Sequence, residues 1–465
     1  MPLLEFPEDM FRLREGEVPM YGEFPDLKKG VRFFVSLMPD DEWSRRREAV
    51  AKRFYNSLIS EPETTDEKGR FFDERDQFAW FLFLGESFTD HPQNYEPVYG
   101  CRVIPILAAI GRNLDTLHGV EGFVEKAQEI TAREKSQPNG GLFEILVAAA
   151  YARAGWKVKF KPRQRGIART HDLDVEKDGK HYAVECKRIE GGEYIEQERA
   201  RMRQLWKPPS AALALQEQRS TLLTVRFNVE LNDVPDTYLS VKVGQFIKSG
   251  LPAWIWHDGI GVGILKNLDL GPIQESLKKG YILHPGPVFN KTLTGSYVRY
   301  DSLVSVLRMK YAPNPHFIDE IDLAVLARWS SHSEAAIEKK ARDIQSKLVE
   351  ANSQLPTDAP GIIHIGFEAL SGDDVEQRRY EKIIQRVRSF NPAQSKLEFV
   401  YCHYFAPEAP VETAWAFDET FQWHAPHNGS RPLEDVLLVV PENNGGPRHG
   451  VHWDGQNVNY TIFEP

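Results

Sequence analysis

The chain has 465 residues, 41% of them hydrophobic and 27% charged, with a formal net charge of −10. That length suggests about three domain-sized units in a folded globular protein. No stretch approaches the ~18 apolar residues of a membrane span, the acidic opening MPLLEFPEDMFRLREGE lacks the pattern of a secretory signal, and Cys101, Cys186 and Cys402 are too scattered for a disulfide framework or a zinc site. The expectation is a soluble protein of the reducing cytoplasm, with no membrane partner.

Residues 1–118 read as an α-rich N-terminal region, with a helical pattern at EWSRRREAVAKRFYNSLI (42–59) and a core-like aromatic run at FAWFLFLGESF (78–88). A further helical stretch, GVEGFVEKAQEITAREK, leads to the breaker Gln137-Pro138-Asn139-Gly140-Gly141. LFEILVAAAYARA (142–154) is rich in helix formers, with Gly155 where a C-terminal cap belongs. WKVKFK (156–161) alternates, Trp156, Val158 and Phe160 on one face and three lysines on the other, as a half-buried strand does. After a basic loop, HDLDVEKDGKHYAVECKR (171–188) predicts a hairpin turning at Asp178-Gly179.

A charged helix is expected at 193–206, ending before Pro208-Pro209, and then a strand at TLLTVRFNVEL (221–231). Residues 232–330 are mixed and punctuated by Gly and Pro, with strand candidates at 253–259 and 303–311. The predicted order then runs helix 333–352, strand 361–369, helix 373–390, strand 397–405, an α/β alternation completing or packing on the preceding sheet. GIGVG (259–263) is not followed by a dinucleotide-binding helix and reads as a loop or bulge. Residues 411–465 form a C-terminal extension that the pattern does not place, and His449 and His452 within it have no accompanying ligands.

The overall acidity argues against a polyanionic partner, but the distribution of charge does not. Between Ala152 and His171 stand Arg153, Lys157, Lys159, Lys161, Arg163, Arg165 and Arg169, and no acid. Such a cluster is the local footprint of a phosphate backbone, although a solvated face is the commoner fate of a basic run.

The hairpin carries the chemistry. With Asp178 and Gly179 as the loop, Lys177 pairs with Lys180 and the register brings Asp172 opposite Glu185, while Lys187 shares the face of Glu185 and Asp174 that of Asp172. Directly opposed carboxylates, with Cβ atoms about 5 Å apart, repel each other. A divalent cation bound by both would compensate, and Lys187 beside it would orient or help deprotonate a water for phosphodiester hydrolysis. Asp174 competes with Asp172 as the ligand. The string (Asp/Glu)-x-Lys also occurs at 26–28, 66–68, 178–180 and 338–340, but only 185–187 ends an apolar strand facing an aspartate.

This order of helix, strand, aspartate, hairpin and Glu-x-Lys over residues 141–231 resembles the PD-(D/E)XK nuclease superfamily, with His171 in place of its usual proline. The resemblance implies a restriction-endonuclease-like mixed sheet flanked by helices, within an α/β protein that adds an N-terminal helical region and C-terminal α/β elements. It places the nuclease-like core at 119–231, a mixed insertion or linking region at 232–330, the completing α/β segment at 331–410 and the extension at 411–465. By the same resemblance Asp172 and Glu185 are the metal ligands, Lys187 is the catalytic lysine, and Glu144 on the first core helix completes the metal shell, although an exposed helix position is the competing reading for Glu144.

Mg²⁺, with Mn²⁺ as a substitute, is the implied cofactor. The implied activity is that of an endonuclease, on DNA more often than RNA, in microbial restriction, defence or repair. The nucleic acid is expected along Lys157, Lys159, Lys161, Arg163, Arg165 and Arg169. Gln197 and Arg201 could touch phosphate or lie on a solvated helix face, His171 reads as a packing or phosphate-side residue, and Cys186 as core. The alternative is a catalytically silent, nuclease-like nucleic-acid-binding subunit of a larger complex; a protein partner or a homo-oligomer fits either reading. No ATPase loop, zinc-finger spacing or helix-turn-helix reveals how a target would be chosen.

Overall fold

The computed structural model describes residues 8–12, 22–59, 71–162, 170–296, 302–341, 344–393, 395–411, 415–426, 433–435, 437–440 and 451–453. Arg163, Arg165 and Arg169 of the expected contact loop lie outside them. The protein is a mixed α/β structure with an N-terminal helical region and two mixed six-stranded sheets with helices. Among the described residues no helix is long and apolar enough to cross a membrane.

The N-terminal region comprises α1 (Pro25–Ser36), α2 (Glu42–Ile59), α3 (Gln77–Asp90), α4 (Pro97–Arg112), the short α5 (Leu114–Leu117) and α6 (Phe123–Ala132). The aromatic run forms α3, buried from Phe78 through Leu84, so this helix is core all round rather than amphipathic. Its start is capped by Asp76, whose carboxylate accepts from the Ala79 N–H, and that of α4 by Glu96. Helices α1 and α4 touch at Gly30 and Gly111, where a Cβ would collide with the backbone carbonyls of Leu107 and Asp26.

Helix α7 (Pro138–Arg153) begins four residues before the sequence pattern suggests, because Pro138 occupies the first helical turn, where its missing N–H costs nothing. Gly155, at φ +82°, is the left-handed cap expected after it. The strands β1 (Lys157–Phe160), β2 (Leu173–Lys177) and β3 (Lys180–Ile189) follow. Asp178 and Gly179 have φ of +51° and +73°, so the turn is left-handed at both positions and matches the twist of the hairpin.

Between β3 and its next neighbour in the sheet the chain builds α8 (Glu193–Ala211) and a second sheet. Helix α8 runs through Pro208 and Pro209 instead of ending before them. Met202, Leu205, Trp206 and Pro209 are buried on one face of α8, and that burial outweighs a penalty of roughly 3 kcal/mol per internal proline.

The strand at 221–231 appears as β4 (Thr221–Phe227), and it pairs in the second sheet, not with the hairpin. The expected core at 119–231 therefore loses its last strand to the inserted region. The second sheet contains β4, β5 (Ala253–His257), β6 (Gly261–Asn267), β7 (Ile282–Leu283), β8 (Ser302–Tyr311) and β9 (Phe317–Ser331), in the order β5-β6-β4-β9-β7, with β8 also on β9. Helices α9 (Tyr238–Ser249), α10 (Gly271–Leu277) and α11 (Pro287–Thr294) lie among these strands in the chain.

The single helix expected over 333–352 is two: α12 (Glu334–Lys340) and α13 (Gln345–Asn352). Ala341 has a non-helical ψ of 66°, and the carbonyls at the break are occupied from outside. Lys382 donates to Glu338 and Ala341, and Arg379 to Lys340. Tertiary donors thus replace the i→i+4 ladder where it stops.

The chain then returns to the first sheet with β10 (Pro360–Glu368), crosses through α14 (Asp373–Ser389), and finishes the sheet with β11 (Lys396–Glu408) and β12 (Ala416–His424). The order is β1-β2-β3-β10-β11-β12, antiparallel at both ends and parallel over β3-β10-β11. One face packs on α7 and the N-terminal helices through Val184, Cys186, Tyr401 and Phe405. The other packs on α13 and α14 through Ala183, Ile363, Ile365 and Cys402. Burial on both faces explains why β10 reads as an apolar run broken only by His364 before its terminal Glu368. The extension contributes β12 and places Leu437 and Val439 in the core.

Candidate active site

The hairpin register is regular from Lys177↔Lys180 to Leu173↔Val184. It slips at Asp172. The Asp172 N–H donates to the Val184 carbonyl at 3.0 Å although Leu173 is Val184's partner, so two residues of this strand face one of β3. Asp172 therefore does not sit squarely opposite Glu185 as simple alternation predicts. Its carboxylate Oδ2 instead accepts from the Cys186 N–H at 2.9 Å, which holds it against the strand that carries Glu185 and Lys187.

Glu185 is 1% exposed, in the middle of β3. Lys187 Nζ lies 2.8 Å from its Oε1, as expected for residues two apart on one face, and also bridges Glu350 on α13 at 3.2 Å. Among the described residues no donor reaches the other oxygen, Oε2, which is buried. Burial raises the Glu185 carboxyl to about 7; the Lys187 ammonium pulls the other way, the Glu144 carboxylate adds to the rise, and a side-chain hydrogen bond with Asp172 lowers it. Burial likewise acts to lower the Lys187 ammonium, but Glu185 and Glu350 outweigh it and the net shift is upward.

Glu144 is buried on α7, not exposed, and pairs with Lys126 of α6 at 2.6 Å. Lys126, itself 6% exposed, also bridges Glu134 at 3.2 Å. The structure therefore gathers Asp172, Glu185, Lys187 and Glu144, the four residues singled out from the sequence. It adds Lys126 and Glu350, which the sequence does not reveal because each arrives from another helix through a tertiary contact.

Asp174 goes elsewhere. It is bonded by His171 Nε2 at 2.7 Å and by Lys161 at 2.7 Å. Burial alone would raise its carboxyl, but these two partners outweigh burial and hold it at about 2. His171, 8% exposed, thus braces the start of the hairpin, and Cys186 is buried in the core as alternation requires.

The lysine face of β1 is less free than its pattern suggests. Lys159 pairs with Glu121 at 2.5 Å and Lys161 with Asp174, leaving Lys157 exposed and without an acidic partner among the described residues. Arg201 bonds the carbonyls of Leu231 and Val234, so it is structural, and Gln197 donates to Glu193 on its own helix.

Among the described residues, no group of three or more His, Cys, Asp or Glu side chains is placed so that it could hold a metal ion. The donor set still suits Mg²⁺, which takes one or two carboxylates and fills its remaining positions with water and phosphate. The buried, unpartnered Oε2 of Glu185 is the observation that fits a cation, since an orphaned carboxylate oxygen costs several kcal/mol unless something compensates it. Comparison with protein-family models, with curated proteins and with solved structures finds no match to this chain.

Proposed function

We propose that the protein is a metal-dependent nuclease of the PD-(D/E)XK kind that hydrolyses phosphodiester bonds, DNA being the favoured substrate. The observation that carries the reading is the buried Glu185 carboxylate with one oxygen unpartnered, flanked by Asp172, Glu144 and Lys187. The mixed sheet, with a hairpin joined to parallel strands and helices on both faces, supports a restriction-endonuclease-like core. Asp172 and Glu185 would hold Mg²⁺ or Mn²⁺, with Glu144 completing the shell. The ion, when bound, supplies positive charge for the phosphate oxygens and acidifies a water.

The chain's own residues do the rest. Lys187, poised beside Glu185, orients the attacking water and offsets charge on the phosphate. Glu350 keeps that ammonium extended, and Lys126 limits the repulsion between Glu144 and Glu185. The nucleic acid would approach over Lys157 and the basic segment 163–169. Roles in restriction, defence or repair are compatible with this chemistry.

The test is cleavage of plasmid DNA and of a matched RNA by the full chain with Mg²⁺, Mn²⁺ or EDTA. Nicking or linearisation with either metal, absent in EDTA and in Asp172→Asn, is the expected result. Binding of DNA without cleavage under every metal would favour a silent nucleic-acid-binding subunit. The ion pairs already made by Lys187 and Lys126 are what that second reading draws on.

A further inference from the structure

Beyond the carboxyl ends of β3 and β10 lies a cleft of about 470 Å³, at the place where open α/β sheets receive ligands. Gln137 and Asn139 at the start of α7, Gly192 and Ile195 at the start of α8, and Ser371 just before α14 all line it. These helices have 16, 19 and 17 residues, and none has a side-chain cap at its amino end. Three sets of N-terminal backbone donors, each with partial positive charge, thus converge on one cavity.

A second, independent feature points to a ligand there. Arg379 lines the cleft and is 5% exposed; its Nη1 is paired with Glu376 and its Nη2 donates to the Lys340 carbonyl, while its Nε is buried without a partner among the described residues. Arg102, Arg199 and Lys340 also line it, each paired with a carboxylate, Glu368, Glu196 and Glu198 respectively. The acids in the wall are largely committed. Glu368 is held by Arg102 and Arg188, Glu196 by Arg199 at 3.1 Å, and Glu190 accepts from Asn139 at 2.7 Å, while Glu74 stands at the rim. The apolar wall is aromatic: Phe72 and Tyr99 meet edge to face, with ring centroids 5.9 Å apart.

We propose that this cleft binds one phosphate-bearing nucleotide, its phosphate at the amino ends of α7, α8 and α14 and its base against Phe72 and Tyr99. The volume suits a ligand of that size, and aromatic walls with arginines are the chemistry that holds an unpaired base. The inference deepens the nuclease reading and rests on it for one point, the origin of the nucleotide in the strand being cut. Lys187 and Ile189 are two positions apart on β3, about 7 Å, so a strand passing the carboxylate cluster can place a neighbouring nucleotide in the cleft.

The test measures equilibrium binding to the full chain in EDTA, where no cleavage intervenes. Deoxyadenosine monophosphate, deoxyadenosine, inorganic phosphate, and one single-stranded oligonucleotide with and without a 5′-phosphate are titrated in turn. The variants are Arg199→Glu and Gly191→Asp. Gly191 is exposed and nothing lies within 4 Å of an added Cβ, so the second variant sets a carboxylate at the mouth without disturbing the fold; melting curves verify this.

The nucleotide should bind at least about tenfold more tightly than phosphate or nucleoside alone, and each variant should weaken it about tenfold or more. Glu185→Gln should leave it unchanged. Tighter binding of the phosphorylated oligonucleotide, competed by the nucleotide, places the ligand at a strand end; equal binding of the two oligonucleotides assigns the cleft to a free nucleotide. Failure of the nucleotide to bind, equal binding of inorganic phosphate, or unchanged affinity in both variants overturns the proposal. A chain that binds the nucleotide but cuts nothing would refute the nuclease reading alone.

Discussion

The two sheets are built alike and buried differently. Each is mixed, with antiparallel neighbours around a parallel join between strands far apart in the chain: β3 with β10 in the first, β4 with β9 in the second. In the second sheet, acids such as Asp258 lie near the surface and are fully bonded. Lys242 and Tyr238 and the N–H groups of Ile260 and Gly261 all donate to Asp258, and these partners outweigh burial to hold its carboxyl at about 2.

The first sheet buries polar chemistry in its middle. One set is satisfied along its length: the Tyr151 hydroxyl meets His364 at 3.0 Å, His364 meets His403 at 2.9 Å, and His403 meets Glu419 at 2.7 Å, with Glu419 accepting from the N–H groups of Val439 and Val440. The other set, around Glu185, is left incomplete. A fold needs its buried polar groups satisfied, and on the proposed reading the open Glu185 oxygen is the one a metal ion would complete.

Breaking each region should separate the two roles. The largest expected effect is on cleavage. Asp172→Ala, Glu185→Ala and Lys187→Ala should each lower the rate by roughly a thousandfold or more, equal to several kcal/mol of lost charge stabilisation. Asp258→Ala should leave the cleavage rate unchanged while lowering the melting temperature. Wild-type cleavage by either carboxylate variant of the first sheet would remove that site from the account.

Next in size is stability without metal. The folded Glu185 carboxyl keeps its proton to about pH 7, whereas the unfolded one loses it near the ordinary value of 4.5. Between those values the native state holds more protons, so the stabilising term is present at low pH and is lost as pH rises through about 7. In EDTA, Glu185→Gln should therefore gain stability relative to the parent between pH 5 and 8, by up to about 3 kcal/mol. Denaturant melts across that range measure it, and parallel curves for the two proteins would contradict the buried, uncompensated carboxylate.

The satisfied network should respond in the opposite sense. His403→Ala strands buried groups on both sides and should cost about 3 kcal/mol at neutral pH, with metal binding unaffected. The smallest effect is on DNA affinity. Because Lys159 and Lys161 already have acidic partners, charge reversal of Lys157, Lys159 and Lys161 should flatten the salt dependence by about one phosphate contact, near 0.9 in the log–log slope. A drop of about three contacts would mean that the pairs with Glu121 and Asp174 open on binding.

Local rules made much of this legible. The Asp178-Gly179 turn, the alternation of β1, the Gly155 cap and the aromatic core of α3 all follow from spacing and turn chemistry in single segments. The hairpin spacing likewise singled out the candidates Asp172, Glu185 and Lys187, whereas Glu144 came only from the family resemblance. What the sequence hides depends on partners far along the chain. Lys126 and Glu350 reach the site from other helices, Arg379 and Lys382 hold the break between α12 and α13, and β4 chooses the second sheet because β6 and β9 lie there. The slip at Asp172 was hidden too, since a one-residue bulge leaves the periodic pattern on either side intact.

Calorimetric titration of Mn²⁺ into the full chain, into Glu185→Gln and into Asp172→Asn tests the central claim most directly, because it reads the carboxylate pair without requiring the right nucleic acid. The account predicts saturable binding to the parent chain, lost in both variants and undiminished in Asp258→Asn. Equal heats for the parent and both site variants, or no binding to any of them, would contradict it.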